Sequence, residues 1–375
     1  MRIKDFKLEE YFAKHEFNVK YTLCSSDCES FSVDELLTLE KDSLEDLKGV
    51  WLGYTESLGS PILREEISKL YENIHQEEVL VFSGAEEAIF VFMNVFLSKG
   101  DHIIVQYPAY QSLYEIANAI GCKVTKWLMD DENNWELDLD FLEANVNQST
   151  KCIVLNFPNN PTGYLPSKEK YNRIVNLAKK NDVYLLSDEV YKFLEYSIAE
   201  RLPSACDLYN KGISIGVMSK SFGLAGLRIG WIATKDKALY KAIASFKNYT
   251  TICNSALSEF FAIMALRNKS VILKRNLGII SDNLNLLDNF FYKYKDLFKW
   301  IKPKAGSIAF PRLLVEDSVE DFCLGLLKEK NVLLMPSTNY NYGDRYFRIG
   351  FGRKNMPEAL KKLEEYIKEK YEALI

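Results

Sequence analysis

Five polar segments of the sequence each come directly after a run of β-branched or aromatic residues of the kind that forms strands. They contain a lysine, carboxylates, amides, tyrosines and an arginine, which suit nucleophilic and acid–base chemistry. In open α/β sheets, ligands bind beyond the carboxyl ends of the strands, so we expect the five segments to share one rim of a sheet. They are 83–87 (SGAEE), 107–110 (YPAY), 157–163 (FPNNPTG), 188–191 (DEVY) and 219–230 (SKSFGLAGLRIG).

The segment 83–87 predicts an anion site, because a Ser-Gly turn that opens a helix points free backbone N–H groups at a ligand. Each segment also has a structural explanation when it is taken alone. The run 157–163 is suited to forming turns, Asp188 could cap a helix, and Lys220 could be a solvated surface charge. A single shared site accounts for the polar residues of all five segments. The structural explanation needs a separate reason for each segment.

Histidine and cysteine usage argues against two common kinds of site. The only histidines are His15, His75 and His102, and none lies near another candidate ligand or nucleophile. A Ser-His-Asp triad or a histidine-rich metal site is therefore hard to build. The seven cysteines include no Cys-x-x-Cys pair, which indicates reduced thiols and no metal site. The chemistry must use lysine, carboxylates, tyrosines, arginines or a cofactor.

The order of predicted elements indicates an α/β protein with a mostly parallel, seven-stranded sheet between layers of helices. A chain of 375 residues is too long for one core. We predict a large domain over 39–270 and a smaller α+β domain formed by 1–38 and 271–375. A long helical stretch is predicted from about 254 to 295, and a charged helix at the C-terminus. The predicted strands are 79–82, 102–106, 122–127, 152–156, 183–187, 213–218 and 229–233, and the predicted helices between them are 84–98, 110–120, 167–181 and 235–247.

The composition narrows the possible partners. Hydrophobic residues make up 47% of the chain and the net charge is -5, which is ordinary for a globular protein. The negative charge argues against a nucleic-acid partner, since a phosphate backbone requires a basic surface. No apolar run is long enough to span a membrane, and the N-terminus lacks the apolar core of a secretory signal. We therefore expect no membrane partner and a cytoplasmic location.

Three of these motifs carry a resemblance to a known family. The segments NNPTG (159–163), SDEVY (187–191) and SKSFGLAGLRIGW (219–231) resemble those of the class I/II aminotransferases. These are enzymes of fold type I that use pyridoxal 5′-phosphate (PLP), and aspartate aminotransferase is a typical member. The resemblance continues with Tyr54, Gly59, Leu63-Arg64 and the segment 347–350 (FRIG), so it covers nearly the whole chain in the family's order.

The resemblance implies roles for the residues around the cofactor ring. Lys220 would hold PLP as a Schiff base and shuttle a proton, and Asp188 would keep the pyridine nitrogen protonated. Asn160 and Tyr191 would hydrogen-bond the 3-oxygen of the ring, and Tyr110 would stack on its face.

The resemblance also implies how the cofactor phosphate and the substrate are bound. Gly84, Ala85 and Glu86 would seat the phosphate on backbone N–H groups, with Ser219 and Arg228 completing the site. In the family, a tyrosine at the place of Tyr54 reaches the phosphate of a neighbouring subunit, which implies a homodimer with shared active sites. The predicted substrate contacts are Arg348, which would bind the α-carboxylate, together with Asn160, Tyr110 and Ser26.

The N-terminal loop departs from the family pattern. Many relatives have a glycine in this loop, whereas residues 23–30 read LCSSDCES. Ser25 and Ser26 are therefore only candidates for lining the site. Asp27 and Glu29 suggest a substrate with a cationic side chain, unless both carboxylates point to solvent.

The resemblance leaves the reaction open. We favour transfer of an amino group between an amino acid and a 2-oxo acid. The alternative is a PLP-dependent β-elimination lyase or cyclase of the capreomycidine synthase-like branch, since both use the same lysine, aspartate and arginine. A PLP-sensing module is disfavoured because residues 1–40 show no basic helix-turn-helix, and a dinucleotide-dependent oxidoreductase is disfavoured because no early strand precedes G-x-G-x-x-G.

Overall fold

The computed structural model describes residues 2–372, and its elements follow the predicted α/β order. The strands are Tyr21–Thr22 (β1), Val79–Phe82 (β2), His102–Tyr107 (β3), Lys123–Leu128 (β4), Thr150–Asn156 (β5), Tyr184–Asp188 (β6), Gly212–Val217 (β7), Gly230–Thr234 (β8), Phe298–Lys299 (β9), Ile308–Ala309 (β10), Arg312–Leu313 (β11), Val332–Leu333 (β12), Met335–Pro336 (β13) and Phe347–Gly350 (β14). The helices are Lys7–His15 (α1), Val33–Leu37 (α2), Ser43–Lys48 (α3), Pro61–Ser68 (α4), Ala85–Phe96 (α5), Ser112–Ile120 (α6), Leu139–Asn145 (α7), Lys168–Lys180 (α8), Ala205–Leu208 (α9), Lys237–Lys247 (α10), Ala256–Arg267 (α11), Lys269–Lys293 (α12), Val319–Lys330 (α13) and Met356–Lys370 (α14).

A seven-stranded sheet in the order β2-β8-β7-β6-β5-β3-β4 forms the centre of the molecule. Only β8 runs against its neighbours, β2 and β7; the other pairs are parallel. The predicted mostly parallel sheet of seven strands is confirmed. Ligand-binding segments therefore meet at the carboxyl ends of β2, β3, β5, β6 and β7.

The central strands are covered on both faces, which explains why they read as continuous apolar runs. On β5, Cys152 and Val154 pack in one core cluster with residues of α5 and α6. The alternate residues Ile153 and Leu155 pack in a second cluster with residues of α7 and α8. The two-residue period of a strand thus divides one apolar run between two helical layers.

Small sheets connect the N-terminal loop to the last third of the chain. Strand β1 pairs in parallel with β12, and β14 lies between β10 and β13. The backbone N–H of Gly350 donates to the carbonyl oxygen of Leu23 at 2.8 Å. These bonds fix the loop that follows β1 against β14, which carries Arg348.

The proposed division into two domains, 39–270 and 1–38 with 271–375, stays a prediction.

The long helix expected over 254–295 is wrong in one respect, because it is two helices that meet at Asn268. The side-chain amide of Asn268 donates to Glu40 Oε1 at 2.8 Å and to the carbonyl oxygen of Met264 at 2.9 Å. This side chain ends α11 by competing for its last carbonyls. No glycine or proline marks the break, so the sequence pattern did not reveal it.

Among residues 2–372, no helix has both the length and the apolar character needed to span a bilayer.

Gly350→Ala should destabilise the protein, because a Cβ there would lie 1.9 Å from the carbonyl oxygen of Ser25. Forcing β14 and the N-terminal loop apart should cost about 1–3 kcal/mol of unfolding free energy, measured in urea. Gly278→Ala is the matched control, since its Cβ would meet nothing within 4 Å inside α12. That change should stabilise the helix by about 0.5–1 kcal/mol. Equal unfolding midpoints for the two variants would contradict this packing.

Candidate active site

A cavity of about 570 Å³ opens at the carboxyl edge of the central sheet, within the size range of small-molecule sites. It collects most of the residues predicted from the sequence, namely Ser26, Ala85, Glu86, Tyr110, Asn160, Asp188, Tyr191, Ser219, Lys220, Arg228 and Arg348. Gly84, which precedes Ala85 in the chain, does not line the cavity. Tyr54 does not line it either, and its side chain is 85% exposed.

Lys220 follows β7, and its Nζ donates a hydrogen bond to Ser26 Oγ at 2.8 Å. Burial lowers the pKa of this amine, while the nearby carboxylate of Asp27 acts in the opposite direction. A lowered pKa gives an amine that is deprotonated more readily, as a nucleophile or base requires. Ser26 was predicted to contact substrate, and the structure places it against the lysine.

Asp188 is the last residue of β6 and is almost fully buried. Its carbonyl oxygen accepts from Asn156 Nδ2 at 3.0 Å, and its Oδ1 accepts from the backbone N–H of Val190 at 3.2 Å. Burial raises the pKa of its carboxyl to about 7, and the hydrogen bond from Val190 and the charge of Lys220 offset this only in part. No salt bridge within residues 2–372 includes Asp188, so a cationic ligand group would stabilise its charged form.

The N-terminus of α5 and Arg228 together form an anion seat. Gly84 precedes the helix with φ of 89°, and a Cβ there would lie 2.5 Å from Arg228 Nη2. The glycine therefore allows the guanidinium to lie against the helix start. The first N–H groups of the helix, at Ala85 and Glu86, have no intrahelical acceptor and can bind phosphate oxygens. Ser219 is buried and lines the same cavity as Ala85, Glu86 and Arg228.

Arg348 is buried at the wall of the cavity and is held by three acceptors. Its Nε donates to the carbonyl oxygen of Cys24 at 3.0 Å, and its Nη1 donates to the hydroxyl of Tyr340 at 2.6 Å and to Asn160 Oδ1 at 3.3 Å. Its Nη2 is buried without a partner, as is the hydroxyl of Tyr191. A fixed guanidinium with one free edge is suited to binding a carboxylate.

Sequence reasoning missed Tyr340, which orders this corner. Its hydroxyl donates to Asn160 Oδ1 at 2.8 Å while accepting from Arg348. Tyr340 ends a short 3₁₀ turn after β13 and is fully buried. Only its position eight residues before Arg348 could have suggested it. The Asn160–Pro161 peptide is cis.

The N-terminal helix α1 supplies a wall that the sequence did not predict. Phe6, Glu9, Phe12 and Glu16 all line the cavity. Their spacing of three, three and four residues places them on one helical face, which is the signal that could have revealed them. The hydroxyl of Tyr110 donates to Glu9 Oε1 at 2.8 Å, and the Tyr110 ring contacts Phe6 with ring centroids 4.9 Å apart.

The two loop carboxylates noted in the sequence are both occupied. Asp27 lines the cavity, but it accepts from Arg353 Nε at 3.2 Å and Nη2 at 2.9 Å. Glu29 lies outside the cavity lining and accepts from the backbone N–H of Lys354 at 2.8 Å. Neither carboxylate is free to bind a substrate cation in the way the sequence suggested.

Comparison with known proteins identifies the family. The family model described as aminotransferase class I and II matches residues 19–363. The chain belongs to this family. It is 33% identical to a PLP-dependent aminotransferase from Streptococcus suis, whose crystal structure superposes with a TM-score of 0.93 over 98% of this chain and 99% of that one. The cofactor of this aminotransferase-family protein is PLP.

Two curated relatives differ in the activity that their names give. Capreomycidine synthase of Streptomyces vinaceus is 27% identical over 92% of this chain and 88% of its own length. An aspartate aminotransferase of Sulfurisphaera tokodaii is 28% identical over 84% of this chain and 82% of its own length. Family membership is therefore compatible with more than one reaction.

The residues present fit PLP. The anion seat at Gly84 and Arg228 suits its phosphate, and the buried carboxyl of Asp188 without a cation suits its ring nitrogen. The unpartnered buried hydroxyl of Tyr191 provides a donor for a ring oxygen. Lys220 lines the same cavity with an amine of lowered pKa.

Asp188→Asn should stabilise the cofactor-free protein in a pH-dependent way. The pKa of about 7 in the folded protein lies well above the ordinary pKa of a solvated aspartate, about 3.9. Wild-type stability should therefore fall as pH rises from about 4 to about 7, whereas an amide does not titrate. The melting temperature of the variant should exceed that of the wild type by a few degrees at about pH 8 and by less at about pH 5. Asp140→Asn, at an exposed aspartate, is the control, and a pH-independent difference for Asp188→Asn would refute the argument.

Proposed function

We propose that this protein is a PLP-dependent aminotransferase that moves an amino group between an amino acid and a 2-oxo acid. The observation that carries the proposal is the free Nη2 of buried Arg348, which lies in the same cavity as Lys220 and Asp188. Such a guanidinium fits the α-carboxylate of an amino acid. The cavity therefore offers a carboxylate site beside the residues that suit the cofactor.

The roles of the individual side chains follow from their surroundings. When bound, PLP supplies an aldehyde for reaction with amines and a ring that stabilises negative charge at the substrate Cα. Asp188 favours the protonated ring nitrogen, because its carboxylate needs a positive partner in a buried site. Lys220 Nζ removes the proton from the substrate Cα and returns one, and its hydrogen bond to Ser26 orients the amine.

Arg348 would orient the substrate. Because Cys24, Asn160 and Tyr340 hold its guanidinium, the bound α-carboxylate has a fixed position. A fixed carboxylate limits rotation about Cα and so selects which of its bonds faces the proton-transferring amine. Tyr340 acts here only through Arg348 and Asn160.

A lyase or cyclase is the second candidate, favoured by the similarity to capreomycidine synthase over most of both chains. The same Lys220, Asp188 and Arg348 would serve it. The two reactions differ in their need for an acceptor. In transamination the enzyme retains the amino group, so 2-oxo acid release should stop at about one equivalent per site until a second 2-oxo acid is added. Elimination would instead continue without an acceptor: a lyase would release the β-substituent and ammonia, and a cyclase would release the β-substituent and keep the amino group in its ring-closed product.

We also propose a homodimer. Trp51, Leu52 and Tyr54 present large apolar side chains that are 79%, 74% and 85% exposed within a few residues of each other. Neighbouring exposed apolar residues of this size are typical of a protein interface. In the family pattern, a tyrosine at the place of Tyr54 serves the active site of the neighbouring subunit.

Lys220→Ala should remove the covalent link to the cofactor. After borohydride reduction of the wild-type holoenzyme, peptide mapping should find the pyridoxyl group on Lys220. The variant should carry none and should lose most turnover, by a factor of roughly 100 or more. Lys237→Ala, at an exposed lysine, should behave as the wild type. Full activity in Lys220→Ala would remove this lysine from the mechanism.

Arg348→Gln should raise KM for the amino acid by about tenfold or more, because a hydrogen bond to a charged group contributes roughly 1.5–3 kcal/mol. Cofactor retention should change little and would show that the variant is folded. Steady-state kinetics and cofactor absorbance measure the two effects separately. Arg173→Gln, an exposed arginine of α8, is the control. A KM equal to that of the wild type would place the carboxylate elsewhere.

A further inference from the structure

We infer that the substrate carries a cationic side chain, a guanidinium or an ammonium group on an aliphatic stem, and that Glu9 and Glu16 bind it. The inference rests on the proposed function, since it assigns the side-chain end of the same amino acid whose α-carboxylate would meet Arg348. It concerns the wall of the cavity formed by α1 and the turn Glu16–Asn18, which the family motifs do not include.

The positive charges of the cavity are already committed. Lys220 and Arg228 face the cofactor groups, and Arg348 is the predicted carboxylate site. The remaining cation, Arg353, forms two hydrogen bonds with Asp27 and is thereby neutralised. Within residues 2–372, the cavity lining holds no further lysine or arginine. An acidic side chain of a substrate would therefore find no free cation from this chain.

The negative charges of the cavity are not balanced. Glu9 and Glu16 both line it, and neither takes part in a salt bridge with the described residues. Burial raises the pKa of Glu16, with Arg353 only partly offsetting this effect, so its charged form would gain from a nearby cation. A carboxylate in partly buried surroundings is stabilised most by a partner that is both positive and a hydrogen-bond donor.

Two buried polar atoms show independently that the cavity is built for a ligand. Arg348 Nη2 and Glu86 Oε2 are both buried without a hydrogen-bond partner, and both residues line the cavity. Native proteins leave few such atoms unpaired. The first calls for an anion. The second belongs to a carboxyl group whose pKa burial raises to about 7, with Ser112 acting in the opposite direction.

The apolar part of the wall suits an aliphatic stem. Phe6 and Phe12 flank Glu9 on the same face of α1, and Tyr110 packs against Phe6. The hydroxyl of Tyr110 donates to Glu9 Oε1 and so fixes the direction of this carboxylate. Side chains such as those of arginine and lysine bury their methylene groups against apolar surfaces while the charged end reaches polar partners.

The test is a binding measurement on the holoenzyme, read from the change in cofactor absorbance on adding each amino acid. Arginine and lysine are compared with citrulline and norleucine, which have similar shapes without the charge, and with aspartate and glutamate. Arginine or lysine should bind at least about tenfold more tightly than its neutral counterpart. The stronger of the two identifies the side chain as guanidinium or ammonium.

The variants Glu9→Gln and Glu16→Gln test the assigned carboxylates. Each should weaken binding of the cationic amino acid by about tenfold and leave the affinity for norleucine unchanged, because only the charge is removed. Glu10→Gln is the matched control on the same helix and should bind arginine and lysine as the wild type does. Each change lies at a position open to solvent or to the cavity, so folding should be preserved.

The outcomes separate this inference from the proposed function. The inference of a cationic side chain would be overturned if citrulline bound as tightly as arginine and norleucine as tightly as lysine. It would also be overturned if both glutamine variants bound arginine and lysine with unchanged affinity. Tightest binding of aspartate or glutamate would also overturn it while leaving an amino acid enzyme intact. If no amino acid alters the cofactor absorbance, the proposed function itself fails.

Discussion

The site depends on the buried carboxyl group of Asp188, which forms no salt bridge with any residue in the range 2–372. Asp188 ends the central strand β6, and it accepts hydrogen bonds from the side-chain amide of Asn156 and from the backbone N–H of Val190. Since burial raises its pKa to about 7, the ionised form costs free energy until a cation arrives. The fold thus holds a destabilised group at the middle of the sheet, and a cationic ring is the natural partner that relieves the cost. In the role that we propose for Asp188, binding of the cofactor and stability of the protein would be coupled through this one side chain.

The N-terminal loop connects the reactive groups to one another. Cys24 accepts from Arg348, Ser26 accepts from Lys220, and Asp27 binds Arg353. The loop is fixed in turn by its backbone bond to Gly350. One short stretch of chain therefore positions the Lys220 amine and the Arg348 guanidinium and pairs the charge of Arg353 beside them. Movement of the loop would disturb all three together.

The central sheet was predictable from sequence because its inner strands are buried on both faces and so appear as uninterrupted apolar runs. The rim was predictable because its polar segments follow those strands directly, as Lys220 follows β7. The break at Asn268 was not, since an asparagine at that place is also compatible with a continuous helix. The pairing of Asp27 with Arg353 joins residues more than three hundred positions apart, which no local pattern records. Glu9 and Glu16 escaped notice because their spacing shows a shared face but not what that face meets.

Because α1 lies at the start of the chain, the residues proposed to bind the substrate side chain are separate in sequence from those that suit the cofactor. The groups that suit the cofactor lie between β2 and β8, whereas the wall that we propose to face the substrate side chain comes from residues before β1. Helix α1 is held by Leu8, which is buried in a core cluster, and by the hydrogen bond from the Tyr11 hydroxyl to the carbonyl oxygen of Leu334. Glu9 and Glu16 belong to no strand, so they can be exchanged without altering a strand pairing of the sheet. An ancestral scaffold of this kind could acquire new substrates by drift in its first twenty residues while its reactive centre stayed intact.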